Sequence, residues 1–187
     1  MILVHGRGAS AEDILALAEE FGVSDVAYFA PQAAGSTWYP RSFLAPLADN
    51  EPGLSSALGV IGGLVSDLER QHVPPERIGV LGFSQGACLA LEFAARHPKR
   101  YAAICGLSGG LIGPPGTSRD YSGTLAGTPV FLGCSDIDPH IPLAIVHESA
   151  EVLGKLGASI DERIYSKMGH TVNVDEIEAI RALLGGT

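Results

Sequence analysis

A chain of 187 residues is the size of one domain and on folding buries about 70% of the surface of its unfolded form. Hydrophobic residues at 46% and charged residues at 18% describe a globular protein and exclude a disordered or fibrous one. A formal net charge of −9 gives no electrostatic hold on DNA, RNA or an anionic membrane surface, so nucleic acid is not an expected partner.

Residues 2–4 form a short apolar run that stops at His5-Gly6, too brief for a secretory leader and suited to a buried strand. Ser10 is placed to cap a helix reaching about residue 21, and residues 26–30 predict a second strand. Ser55 or Ser56 can open a helix to about His72, after which residues 78–82 read as a strand and 87–97 as a helix. Strands follow at 102–105 and 130–133. Pro142 can open a helix ending near Gly154 or Gly157, and 160–165 predicts the last strand. Asn173, with Glu176 three residues on, has the spacing of a capping box for a final helix to about Leu184.

Six apolar strands alternating with helices predict an α/β fold, a parallel sheet covered on both faces within one domain, 1–187. The longest apolar run, residues 57–65, is far below the roughly 20 residues needed to span a bilayer, so no membrane insertion is expected. Cys88, Cys105 and Cys134 are odd in number and lack CxxC spacing, which favours buried free thiols and, with the missing leader, a cytoplasmic location. A homodimer is compatible with this sequence.

The strongest chemical signal is Gly82-Phe83-Ser84-Gln85-Gly86 between a strand and a helix. A nucleophile elbow needs small residues two positions either side of its serine, because the turn is too sharp for larger ones. A serine hydroxyl also needs a base and an orienting acid, in the chain order Ser, Asp, His. His170 follows the last strand as the candidate base. Asp136 and Asp138 compete for the acid: Asp138 stands in a rigid setting before Pro139, whereas Asp136 suits a turn cap. Backbone N–H groups of Arg7, in the loop His5-Gly6-Arg7-Gly8, and of Gln85 are the candidate oxyanion donors. His5 is expected to brace its loop and the Arg7 side chain to be solvated. His140 and His147 lack partners at ligand spacing, so no metal site is expected. The loops 31–54 and 109–128 are long and follow strands, which makes Trp38, Tyr39, Phe43, Leu111 and Ile112 candidates for lining a substrate pocket.

With these motifs placed, the chain resembles the phospholipase/carboxylesterase family, which includes the acyl-protein thioesterases. The resemblance rests on Val4-His5-Gly6-Arg7-Gly8, Ala30-Pro31-Gln32-Ala33, the Ser84 elbow, Leu107-Ser108-Gly109-Gly110, Asp138-Pro139-His140-Ile141-Pro142 and Gly169-His170. It implies an α/β-hydrolase fold without a lid domain or cofactor, acting on carboxylic esters or thioesters of small or medium acyl groups. It also implies Ser84, Asp138 and His170 at the triad positions, because the family acid stands three residues before an Ile-Pro or Val-Pro pair. Compared with larger relatives, the sheet is expected to lack the first strands and to be wholly parallel. The His-Gly-Arg-Gly start and Ser36-Thr37-Trp38-Tyr39-Pro40 look more like a bacterial esterase branch than like the thioesterases. Two alternatives share these residues: a small-molecule binding protein with little or no turnover, and an acyltransferase.

Overall fold

The structure, a computed structural model, describes residues 1–185; residues 186 and 187 of the expected domain lie outside the described residues. Five strands, β1 (Ile2–Val4), β2 (Val80–Phe83), β3 (Ile104–Leu107), β4 (Pro129–Ser135) and β5 (Ser159–Tyr165), alternate with α1 (Ala11–Glu19), α2 (Gly53–Arg70), α3 (Gln85–Arg96), α4 (Leu143–Lys155) and α5 (Val174–Gly185). The sheet is parallel throughout, in the spatial order β1-β2-β3-β4-β5. All residues of β1 and β3 are buried, as strands covered on both faces require.

Residues 26–30 do not form the sixth strand. Phe29 alone bridges to Ile2, through Leu3 N–H donating to the Phe29 carbonyl at 2.8 Å and Phe29 N–H to the Met1 carbonyl at 3.0 Å. Pro31 follows two residues later and has no N–H to continue the pairing, so the run ends as an edge bridge.

That bridge nonetheless fixes the topology. From β1 the chain crosses one face through α1 to Phe29 outside β1, then returns over the other face through α2 to β2 on β1's opposite side. The apolar faces of α2, α3 and α4 pack into one core, with residues such as Ile61, Phe93 and Val146, while α1 and α5 supply Ile14 and Ile180 to the other. The direction of winding therefore reverses beside β1. In open α/β sheets a crevice forms at the carboxyl ends of the strands flanking such a reversal, here β1 and β2.

Helix starts follow local hydrogen bonding. Ser10 and Asp13 form a reciprocal capping box for α1, with Asp13 N–H donating to Ser10 Oγ at 3.2 Å and Ser10 N–H to Asp13 Oδ2 at 2.7 Å. α2 begins before Ser55, because the Glu51 carboxylate accepts the Ser55 N–H at 3.0 Å and takes the capping role. Asn173 and Glu176 close the expected box for α5, at 2.9 and 3.0 Å.

Glu176 carries a further consequence. Its Oε1 is buried without a hydrogen-bond partner among the described residues, beside Gly133, where a Cβ would come within 2.1 Å of it. Burial pushes its pKa up to about 7 from 4.5, against the Asn173 amide, which favours the charged form. The folded protein then holds a proton that the unfolded chain releases between these values, so this group's stabilising contribution falls as pH rises through that window. Glu176→Gln keeps the cap and removes the titration. Urea unfolding should find its stability advantage over the parent growing by on the order of 3 kcal/mol from pH 4.5 to pH 7.5; a pH-independent difference would refute the assignment.

Candidate active site

The β2–α3 turn brings Ser84 to the crevice in an unusual backbone conformation, φ 55° and ψ −118°. Such a conformation costs about 1–3 kcal/mol and persists only where neighbours enforce it. Here a Cβ on Gly82 would lie 2.1 Å from the Gly86 carbonyl oxygen, and one on Gly86 would lie 2.0 Å from that of Val4. Both positions admit glycine alone. The Ser84 N–H is tied to the Leu107 carbonyl at 2.9 Å, anchoring the turn to β3.

His170, in the loop after β5, accepts from the Ser84 hydroxyl through Nε2 at 2.8 Å, and its Nδ1–H donates to Asp138 Oδ2 at 2.7 Å. This assignment of the ring hydrogen follows from the partners, since a carboxylate can only accept. The Asp138 side chain is fully buried, while His170 retains 18% exposure, enough to face a ligand. Asp138 Oδ1 accepts the amides of His140 at 2.8 Å and Ile141 at 3.0 Å. Burial by itself raises the pKa of Asp138, but the hydrogen bond from His170 and those two amides outweigh it and hold the carboxyl below its usual range.

Geometry separates the two rival carboxylates. Asp136 is exposed and binds Lys167 N–H at 2.8 Å and the Ser166 hydroxyl at 3.0 Å, tying the end of β4 to the loop that carries His170. Ser135 Oγ adds a bond from Gly169 N–H at 3.1 Å.

The loop after β1 faces the elbow: a Cβ on Gly6 would touch Ser84 Cβ at 3.4 Å. His5 braces it from behind, its Nε2 accepting Ala33 N–H at 3.1 Å and its Nδ1–H donating to the Gly6 carbonyl at 2.7 Å. Neither the Arg7 N–H nor the Gln85 N–H at the start of α3 has an acceptor among the described residues. The Arg7 side chain is not simply solvated, as the sequence suggested; its guanidinium grips the carbonyls of Tyr39, Pro40 and Arg41 at 2.8, 3.2 and 2.6 Å.

Ser84 and His170 open into a cleft of about 460 Å³ lined also by Tyr39, Phe43, Phe83, Cys88 and Ile141. Tyr39 and Phe43 thus reach the cleft, whereas Trp38, Leu111 and Ile112 do not and belong to the core. Trp38 is turned behind the Gly6 loop by its Nε1–H bond to the His5 carbonyl at 2.9 Å. The amides of Leu111 and Ile112 are pulled inward by Ser149 Oγ at 2.8 Å and Glu92 Oε2 at 3.0 Å. His140 and Ile141 line the cleft without having been expected to, and the signal was their place directly after Asp138-Pro139. A larger groove of about 600 Å³ between α2 and α3 contains neither Ser84 nor His170, so the assembled chemistry lies in the smaller one. Among the described residues, no cluster of three or more His, Cys, Asp or Glu side chains is arranged to hold a metal ion. Cys88, Cys105 and Cys134 are unpaired and buried, their thiols pushed up to about 12 by burial. No helix among the described residues is long and apolar enough to cross a membrane.

Comparison with known proteins agrees with this architecture. The model of the phospholipase/carboxylesterase family matches residues 1–185. The chain belongs to this family. Among solved structures, a phospholipase/carboxylesterase from Dyadobacter fermentans superposes on this family member with a TM-score of 0.94 at 39% identity, covering 98% of this chain and 88% of that one. Acyl-protein thioesterase 1 of Saccharomyces cerevisiae is 28% identical over 71% of this chain, and that of Gibberella zeae 32% identical over 60%. The matched regions span 59% and 48% of those two relatives.

Proposed function

We propose that this chain is a serine carboxylesterase hydrolysing carboxylic esters, and thioesters of similar size, through an acyl-enzyme intermediate. The observation that carries the reading is the unbroken line from Ser84 Oγ to His170 at 2.8 Å and from His170 to Asp138 at 2.7 Å, opening into a cleft.

In this mechanism Ser84 Oγ attacks the acyl carbon as its proton passes to His170 Nε2. Asp138, whose carboxyl is held below its usual range by the hydrogen bond from His170 and by the two amides, keeps Nδ1 protonated and stabilises the imidazolium. The Arg7 and Gln85 amides donate to the oxyanion, and the α3 N-terminus adds its partial positive charge. His170 returns the proton to the departing alkoxide or thiolate, then activates a water that releases the acid. No step requires a cofactor. Tyr39, Phe43, Phe83 and Ile141 give the cleft an apolar wall suited to small and medium acyl chains. The three unpaired cysteines suit a reducing compartment.

Purified protein is expected to hydrolyse nitrophenyl esters at rates that decline once the acyl chain outgrows the cleft. A fluorophosphonate probe should form its adduct on Ser84, located by peptide mass analysis. Absence of both turnover and labelling would favour a binding protein on the same fold and sink the esterase reading.

A further inference from the structure

The two amides assigned to the oxyanion come from residues far apart in sequence, one in the loop after β1 and one at the start of α3. Their side chains nevertheless converge on one atom. The carbonyl oxygen of Tyr39 accepts from the Arg7 guanidinium at 2.8 Å and from Gln85 Nε2 at 2.9 Å. The same two side chains hold the residues around it: Gln85 Oε1 accepts Trp38 N–H at 3.0 Å, and the Arg7 guanidinium continues to Pro40 and Arg41. Trp38 in turn donates through Nε1 to the His5 carbonyl, closing a ring of contacts back to the loop that carries Arg7. Tyr39 and Gln85 are buried, so the Gln85 bonds to Trp38 and Tyr39 are shielded from competing water, while Arg7 reaches the same carbonyl from the exposed side.

We infer that Arg7 and Gln85 are positioning residues, whose side chains meet on the Tyr39 carbonyl and thereby set the spacing between their own backbone N–H groups. The inference rests on the esterase reading above. The physical need is plain: an oxyanion hole works only when both donors are fixed about 3 Å from an oxygen that exists in the transition state, and a displacement of 1 Å is costly. Backbone bonds hold the Arg7 loop, from Gly8 N–H to the Ser36 carbonyl at 2.7 Å and from Ala9 N–H to the Gly6 carbonyl at 3.2 Å, but neither joins it to Gln85, whereas the Tyr39 carbonyl does. A shared acceptor makes the segment 38–41 a strut between two loops that meet at the active edge. It also accounts for an arginine in a loop where a solvated side chain would have been the ordinary expectation.

The test compares Arg7→Met, which keeps the aliphatic stem, Arg7→Lys, Gln85→Met and the double variant Arg7→Met/Gln85→Met, using a short nitrophenyl ester and an alkyl boronic acid. The boronic acid forms an anionic tetrahedral adduct on serine and so reports the oxyanion site separately from substrate binding. Each single Met variant is expected to lose about 10- to 100-fold in kcat with KM nearly unchanged, and boronate affinity should fall in parallel. Arg7→Lys, with one ammonium in place of the fork, should recover only part of the loss. The double variant should lose far less than the product of the single losses, since either cut already frees the strut. Thermal unfolding identifies any variant that fails to fold. The Arg7 variants alter an exposed side chain and decide the matter alone should Gln85→Met not fold: a kcat and boronate affinity equal to wild type, or a loss confined to KM, overturns the inference. Multiplicative losses in a folded double variant overturn the shared-strut part. A wild type that neither hydrolyses ester nor labels at Ser84 refutes the esterase reading instead, so the two failures are distinguishable.

Discussion

Ser84→Ala is expected to lower kcat on a nitrophenyl ester by about 10⁶-fold, with the protein still folded. The size follows from the arrangement of the cleft: His170 Nε2 points at Ser84 Oγ at 2.8 Å, and Cys88, a possible substitute nucleophile on the same wall, has a thiol pushed up to about 12 by burial and stays protonated at neutral pH. Alanine fits the φ 55° position with no greater strain than serine, and the Ser84 N–H bond to Leu107 is unaffected. Circular dichroism and the unfolding temperature should therefore stay close to the parent. A residual rate is expected, from water activated by His170 and from the two oxyanion amides. Hydrolysis by the alanine variant at the parental rate would require a different nucleophile and end the serine mechanism.

The second large effect separates the two aspartates. Asp138→Asn should cost about 10⁴-fold in kcat, as in enzymes where the equivalent amide forces the wrong imidazole tautomer. The asparagine oxygen would satisfy the His140 and Ile141 amides, leaving its NH₂ towards Nδ1. Nδ1 must then accept, Nε2 carries the hydrogen, and the ring can no longer take the Ser84 proton. Asp136→Asn should leave kcat within about threefold, because the amide oxygen can still accept Lys167 N–H and keep the end of β4 tied to the loop that carries His170. Steady-state kinetics of the two variants side by side would test both; equal losses would contradict the division of roles.

Much of the fold is legible in the sequence, for a physical reason. Buried parallel strands are short apolar runs, and glycine, proline and capping residues punctuate them, so β1, α1 and the Asn173–Glu176 box can be read locally. Residues 26–30 have the same apolar character, but pairing depends on where the segment lies, and at the sheet edge before Pro31 it reduces to the Phe29 bridge. The convergence of Ser84, Asp138 and His170 is legible because each follows a strand and all strands point one way. Side-chain direction in the long loops is not. Trp38, Leu111 and Ile112 are as apolar as Tyr39 and Phe43; what turns them inward is a set of hydrogen bonds that they donate to His5, Ser149 and Glu92, residues distant in sequence. The Arg7 grip is hidden likewise, since backbone carbonyls are invisible to composition.

The bonds joining the end of β4 to the loop after β5 divide the proposed triad into two parts. Asp138 and His170 sit on a piece pinned together by Ser135 and Asp136, whereas Ser84 rides on the turn between β2 and α3. The proposed proton acceptor and attacking atom are thus carried on separate pieces that meet across one hydrogen bond. Replacing that serine by cysteine would therefore leave untouched the bonds that give the other piece its shape.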